Sequence, residues 1–178
     1  MPKPSKLRGA WRLVRLLVHV LRGWLTIRLR FPAWSPTRRD QAVQQWSQAL
    51  LGVLGLQLRI EGQLLRQGPL MLVCNHISWL DIAVLHAAVH CRFISKDDVR
   101  SWPLVGTLAT AAGTLYISRA SRRDALRVVH QMAAALQAGD VLAFFAEGTT
   151  GDGSTVLPFH SNLFQAALVA QGEPSVSR

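Results

Sequence analysis

The amino-acid sequence predicts an α/β fold in which a mostly parallel central sheet is flanked by helices. Beyond residue 55, short apolar runs typical of buried strands alternate with longer stretches of helical periodicity. This alternation is typical of βαβ units, in which helices cover the faces of a parallel sheet. A chain of 178 residues, 49% of them hydrophobic, is large enough for one packed core.

Within residues 55–178 the sequence predicts five strands and four helices. Strands are expected at 56–60, 70–74, 92–95, 114–117 and 141–145. Helices are expected at 79–89, near 102–103, at 121–138 and at 161–170. Ser121 is expected to cap the third helix, with Asp124 three residues later, and Gly139 to end it.

Residues 1–54 are expected to form a separate basic unit of two membrane-anchoring helices. Ten of the 20 basic residues lie in residues 1–39, which contain no acid. Between residues 7 and 30 a narrow polar stripe recurs at helical spacing beside a broad apolar face: Arg8, Arg12, Arg15, His19, Arg22 and Thr26. A helix of this kind is typical of the membrane interface. Prolines break it after residue 30, and a second helix at 40–54 completes a hairpin.

Three other interpretations of the first helix are less favourable. A spanning helix would bury Arg15 and Arg22 at a cost of about 3 kcal/mol each. A cleaved signal peptide would lack arginines inside its apolar region. An ordinary core helix with its arginines in water remains the plainest alternative. Nucleic-acid binding is disfavoured, because residues 40–178 balance 10 basic residues against 10 acidic ones.

The chemistry is expected at the segment from Asn75 to Asp81. His76 follows the apolar run 70–74 at the carboxyl end of a strand, and Asp81 falls in the first turns of the next helix. Open α/β sheets place their sites at such positions. A turn between His76 and Asp81 would let the carboxylate reach the imidazole. The pair would then act as a base with an orienting acid.

Two further groups of reactive side chains are assigned structural roles. Cys74 and Cys91 lie in apolar runs and are expected to be buried, reduced thiols, which suits a cytoplasmic setting. His86 and His90 are four residues apart on a predicted helix, but no third ligand accompanies them. We therefore expect no metal site.

Two later strands are expected to end on the same rim as His76. Arg119 follows the strand at 114–117 and could grip a phosphate with two parallel hydrogen bonds. Glu147, Gly148 and Thr149 follow the strand at 141–145, and a glycine there allows close approach of the backbone to a ligand. A solvated strand end for Arg119 and a structural ion pair for Glu147 are the alternatives.

These motifs resemble those of the 1-acylglycerol-3-phosphate acyltransferase family, between about residues 60 and 170. The Asn-His-x-Ser-x-x-Asp signature stands at 75–81, a Gly-x-x-Tyr-x-x-Arg strand at 113–119, and an aromatic strand followed by Glu-Gly-Thr at 145–149. The family's fourth signature, an apolar strand containing proline, does not appear before the chain ends at Arg178. That departure puts the activity of this chain in question.

The resemblance implies transfer of a fatty acyl group from acyl-CoA or acyl-carrier protein to a lysophospholipid at the cytoplasmic face of the inner membrane. His76 and Asp81 would be catalytic, Arg119 would hold the acceptor phosphate, and Glu147, Gly148 and Thr149 would position the glycerol end. Asn75 and Ser78 complete the expected substrate-binding set, with Asn75 bracing the turn and Ser78 capping the next helix. No cofactor is implied beyond the acyl donor. A lyso-ornithine lipid acceptor, or an inactive lipid-binding fragment, are the alternatives.

Overall fold

The computed structural model describes residues 6–63, 65, 68–117, 122–160 and 164–171. Two helices precede the sheet and four more accompany its strands, and short 3-10 helices lie at Phe31–Ala33 and Asp97–Ser101. The α-helices are α1 Lys6–Leu29, α2 Pro36–Leu54, α3 Leu80–Ala88, α4 Val105–Ala111, α5 Arg122–Gln137 and α6 Gln165–Ala170. The strands are β1 Leu70–Cys74, β2 Arg92–Lys96, β3 Leu115–Ile117 and β4 Val141–Phe145.

The four strands form one parallel sheet in the order β1-β4-β2-β3. Cys74 at the end of β1 lies opposite Phe145 at the end of β4. The segments that follow these two strands therefore leave the sheet side by side, at its carboxyl rim. The α/β class with a parallel sheet flanked by helices is confirmed.

Alternate residues of the strands face two different helical layers, as the two-residue period of a strand requires. One face packs against α5 and α6, through Met71, Leu142, Ile94, Leu115 and Ile117. The other face carries Leu70, Leu72, Phe93, Val141, Ala143 and Phe145, and Leu85 of α3 packs against it. Both faces are thus covered, which is the usual state of a parallel sheet.

The prediction of a strand at 56–60 is wrong, because these residues pair with no strand. Its three apolar residues are largely exposed: Leu56, Leu58 and Ile60. The alternation in the sequence therefore reflects an extended segment outside the sheet. The final helix is described from Gln165, whereas the expected capping residue Ser121 and residues 161–163 lie outside the described residues.

Helices α1 and α2 contact each other through a reciprocal pair, His19 and Trp46. The two rings stack with centroids 4.7 Å apart, the His19 Nε2 lies 3.0 Å from the Trp46 carbonyl, and the indole N–H donates to the His19 carbonyl at 3.2 Å. Gly23 permits this approach, since a Cβ there would lie 2.4 Å from the indole nitrogen. His19 belongs to the expected polar stripe, yet it turns towards α2, because its ring and nitrogen find partners there.

The outer surface of α1 is unusually apolar. Eight large hydrophobic side chains are between 40% and 73% exposed: Trp11, Leu13, Val14, Leu17, Val18, Leu21, Leu25 and Leu29. The arginines at 12, 15, 22 and 28 are exposed as well. The membrane-anchoring role of residues 1–54 stays a prediction. Among the described helices, none has the length and apolarity needed to cross a bilayer.

Helix α2 is fixed to the end of α3 by polar contacts. Gln48 donates to the Ala87 carbonyl at 3.0 Å, and the His90 Nε2 lies 3.3 Å from Asp40 Oδ1. The Nδ1 atoms of His86 and His90 are buried without a hydrogen-bond partner among the described residues. Burial, and then the nearby His90, lowers the pKa of His86 to about 4. We therefore take His86 as a neutral core residue.

Candidate active site

His76 and Asp81 meet at the carboxyl end of β1. The Nδ1 atom of His76 lies 2.9 Å from Asp81 Oδ2, and the two side chains are 17% and 26% exposed. The short turn between β1 and α3 brings them together, as the five-residue spacing requires. The Nε2 atom of His76 has no hydrogen-bond partner within the described part of the chain. A hydroxyl that approaches Nε2 could therefore give up a proton to a base whose other nitrogen is already held.

The Asp81 carboxylate also fixes the backbone of the turn. Its Oδ2 atom accepts hydrogen bonds from the Ile77 N–H at 2.7 Å and the Ser78 N–H at 2.9 Å. Partial burial by itself would raise the pKa of Asp81, but these N–H donors and His76 outweigh it, so the pKa is lowered. Asp81 is thus an anion at neutral pH, ready to orient the imidazole.

Phe145, which was not among the predicted site residues, lies with its ring against the imidazole of His76. The two rings are nearly parallel, at an interplanar angle of 11° and a centroid distance of 3.9 Å. A second ring, that of Phe93, stacks on Phe145 at 5.5 Å. The signal available in the sequence was an aromatic residue at the end of the strand neighbouring β1, but strand order was needed to place it.

Glu147 lies beneath the turn and is only 4% exposed. Its Oε2 atom accepts the backbone N–H of His76 at 2.5 Å, and its Oε1 atom accepts the N–H of Leu157 at 2.7 Å. Both oxygens are therefore used by the protein's own backbone. The geometry gives Glu147 the part of a brace that joins the His76 turn to the loop after β4.

The residues around this brace divide into structural and exposed ones. Gly148 adopts a positive φ of 70°, in a turn closed by its N–H to the Phe145 carbonyl at 3.1 Å. Ser78 Oγ accepts the Leu80 N–H at 3.2 Å, but Ser78 precedes the N-cap of α3, which is Trp79 and makes no side-chain capping hydrogen bond. Asn75, which precedes His76, and Thr149 are exposed. The loop that carries Thr149 contacts the His76 turn through the Gly151 N–H, which donates to the His76 carbonyl at 2.7 Å.

Arg119, the expected phosphate ligand, lies outside the described residues. Strand β3, which precedes it, ends at Ile117 opposite Lys96 of β2. In the sheet order β3 stands three positions from β1, a separation of about 14 Å. The assignment of Arg119 stays a prediction.

The thiols near the site are not activated. Burial, with a smaller contribution from Asp81, raises the pKa of Cys74, and burial raises the pKa of Cys91 to about 12. Both thiols are therefore protonated at neutral pH, unsuited to nucleophilic attack. Within the described residues, no three His, Cys, Asp or Glu side chains are grouped so that they could hold a metal ion.

Comparison with known proteins gives one consistent family. The model of the Acyltransferase family matches residues 57–176. A lyso-ornithine lipid O-acyltransferase of Pseudomonas aeruginosa is 39% identical over 93% of this chain and 66% of its own length. A 1-acyl-sn-glycerol-3-phosphate acyltransferase of Neisseria meningitidis is 34% identical over 89% of this chain and 62% of its own length.

A solved structure shares the fold. The crystal structure of the 1-acyl-sn-glycerophosphate (LPA) acyltransferase from Thermotoga maritima aligns with a TM-score of 0.66, at 20% identity, over 89% of this chain and 71% of that one. The chain spans about half to two thirds of the length of the curated relatives it matches. Because the family model matches residues 57–176, this chain belongs to the acyltransferase family.

Proposed function

We propose that this chain transfers a fatty acyl group from acyl-CoA or acyl-carrier protein to the sn-2 hydroxyl of 1-acylglycerol-3-phosphate, giving phosphatidic acid. The observation that carries the proposal is the His76–Asp81 contact of 2.9 Å at the carboxyl rim of the sheet. It provides a base whose Nδ1 lies against Asp81 and whose Nε2 is free to accept a proton, as deprotonation of an alcohol requires. Family membership, and the relatives named for this reaction, support the same reaction class.

In the proposed reaction His76 Nε2 takes the proton of the acceptor hydroxyl while the hydroxyl oxygen attacks the thioester carbonyl carbon. Asp81 stabilises the imidazolium that forms, because its Oδ2 atom lies against Nδ1. The tetrahedral intermediate then collapses, the carbon–sulfur bond breaks, and the imidazolium returns its proton to the thiolate. The products are the new ester and a free thiol, and no acyl-enzyme forms.

The remaining residues would place the acceptor and the turn that carries the base. We propose that Arg119 holds the acceptor phosphate, and that the exposed residues Thr149 and Asn75 meet the glycerol end. Glu147, with both oxygens engaged by backbone N–H groups, would act by holding His76 in place. The acyl donor is a co-substrate, and the proposal includes no metal or resident cofactor.

The apolar surface of α1 supports a position at the membrane surface. The acceptor and the product are bilayer lipids, and the exposed apolar side chains of α1 could enter the headgroup region. Its arginines would favour anionic headgroups by about 1 kcal/mol each. We propose the cytoplasmic face of the inner membrane, where acyl-CoA and acyl-carrier protein are present.

A lyso-ornithine lipid is the second candidate acceptor. It is favoured by the relative from Pseudomonas aeruginosa and by a lyso-ornithine lipid O-acyltransferase of Rhizobium meliloti that is 35% identical over 89% of this chain. The base would act in the same way on that acceptor. The two acceptors differ in the headgroup. Arg119, the proposed ligand of the phosphate, is therefore the residue whose contacts would differ between them.

The test is acyl transfer from radiolabelled acyl-CoA by this 178-residue chain in detergent micelles, with each acceptor alone and with both together. The proposal expects labelled phosphatidic acid, at a higher kcat/KM than labelled ornithine lipid. A reversed preference would assign the lyso-ornithine acceptor instead. Transfer to neither acceptor by a folded protein that binds liposomes would support an inactive lipid-binding fragment, and would contradict both.

A further inference from the structure

The face of the Phe145 ring is placed to act on the charge state of His76. Two groups contact the imidazole: Asp81 holds one edge at Nδ1, and the Phe145 ring covers one face. Glu147 holds the backbone N–H of the same residue. The contact at Asp81 fixes the direction of Nδ1, whereas the stacking fixes the tilt of the ring plane. Nε2 is left as the open nitrogen.

An aromatic ring presents negative charge density on its face, so a cation above that face is attracted to it. The imidazole and Phe145 rings lie face to face, 3.9 Å apart and 11° from parallel. Neutral imidazole gains little electrostatically from this arrangement, whereas imidazolium gains more. The contact therefore favours the state in which His76 carries two protons.

The position of Phe145 is itself well fixed. Its backbone lies opposite Cys74 in the sheet, and its ring stacks on that of Phe93, which is only 4% exposed. Phe93 in turn meets His86 edge-on, with centroids 5.0 Å apart. A ring held in this way does not have to reorganise when charge develops on His76, which is the condition under which fixed groups stabilise a transition state most effectively.

We infer that Phe145 is a positioning residue for the base, which orients the His76 imidazole by stacking and stabilises the imidazolium that forms as the acceptor loses its proton. The inference rests on the proposed function, in which His76 accepts that proton. It adds the ring face to the Asp81 carboxylate, which lies against the imidazole, and to the Glu147 carboxylate, which holds the backbone N–H of His76.

The test replaces Phe145 by phenylalanines with one, two and three ring fluorines, which weaken the negative face with little change in size. At fixed pH near 6, NMR of the imidazole carbons gives the fraction of His76 that carries two protons. We expect this fraction to fall stepwise with fluorination. The value of kcat should fall about threefold to tenfold across the series, with KM for both substrates nearly unchanged. A flat protonated fraction would overturn the inference, even if the protein proves inactive.

Two conventional variants separate charge stabilisation from packing. Phe145→Leu removes the ring face, and Phe144→Leu removes a fully buried ring from the other face of the same strand. Both should lower Tm, but Phe145→Leu alone should lower kcat and abolish the upfield ring-current shift of the His76 protons. Phe145→Tyr should restore both. Equal losses of kcat in the two leucine variants would show that the rings act only by packing.

If instead His76→Ala retains turnover, the proposed role of His76 as the base fails. The NMR series would still decide whether Phe145 favours the imidazolium, because that measurement requires no substrate. The two failures are therefore distinguishable.

Discussion

At the scale of single residues, Glu147 shows how a residue of the family's signature can serve the site without being open to a ligand. Its two carboxylate oxygens accept hydrogen bonds from the backbone N–H groups of His76 and Leu157. A glutamine can accept at one position only, because its amide nitrogen is a donor. Glu147→Gln therefore leaves one of these backbone N–H groups without an acceptor.

We expect Glu147→Gln to lower the free energy of unfolding by about 1 to 3 kcal/mol, the usual cost of an unpaired buried polar group. It should also reduce kcat, because the turn that carries His76 loses its brace. Urea denaturation and steady-state kinetics measure the two effects. Glu61→Gln is the matched control, since Glu61 and its partner Arg59 are both exposed. Unchanged stability and kcat in Glu147→Gln would contradict the brace.

The buried residue His86 makes the free energy of unfolding depend on pH, and its lowered pKa determines the direction of that dependence. Burial and then His90 lower its pKa to about 4 in the folded protein, below the ordinary value of 6.5. The unfolded chain therefore binds the proton first as the pH falls. The stability that depends on neutral His86 is fully present above pH 6.5 and is lost between pH 6.5 and 4. The loss amounts to about 3 kcal/mol.

His86→Phe should remove this contribution, because the ring is kept and the titrating group is lost. The free energy of unfolding, measured by denaturant titration between pH 7 and 4, should decline less steeply than in the unsubstituted chain. His130→Asn is the control, since His130 is exposed on α5. Parallel pH dependences in the His86 variant and the unsubstituted chain would show that His86 does not resist protonation.

At the scale of elements, α1 is a helix whose polar contacts face inward and whose large apolar side chains face outward. His19 and Gly23 meet Trp46 of α2, whereas Trp11, Leu13 and Leu17 are more than half exposed. A bilayer interface is the environment in which this arrangement is favourable. Leu13 and Leu17 are four residues apart and lie on the same side of the helix.

Changing Leu13 and Leu17 together to glutamine should weaken binding to anionic liposomes at least tenfold, since each exposed leucine contributes apolar area to insertion. Co-sedimentation with vesicles of phosphatidylglycerol and phosphatidylethanolamine measures the change. Leu126→Gln provides the matched control, because Leu126 is an exposed leucine on α5. Equal vesicle binding by all three proteins would exclude α1 as the membrane contact.

At the scale of the whole molecule, the sequence was informative where the pattern is local. The alternation of apolar strands and amphipathic helices led to the correct class of fold, and the spacing of His76 and Asp81 led to a pair that the structure brings within 2.9 Å. Both inferences depend on residues a few positions apart. The alternating pattern at 56–60 led to a wrong prediction of a strand in what is an exposed segment, because such a pattern cannot show whether a partner strand exists.

Long-range relations could not be predicted in the same way. Strand β4 lies between β1 and β2, and this order alone places the Phe145 ring on His76 and the Glu147 carboxylate under its backbone N–H. Phe145 ends its strand and Phe144, its neighbour, is fully buried in the core, but this local difference does not show which side chain meets Phe145. The sheet order, set by packing of the whole domain, decides which aromatic residue meets the imidazole.

The central claim is that His76, held by Asp81, is the base for acyl transfer. The most direct measurement is single-turnover transfer from radiolabelled acyl-CoA to 1-acylglycerol-3-phosphate, by the unsubstituted chain and by His76→Ala, with His130→Ala as control. We expect transfer by the unsubstituted chain and the control, and a rate at least about 100-fold lower in His76→Ala. Equal rates in His76→Ala and the unsubstituted chain would contradict it.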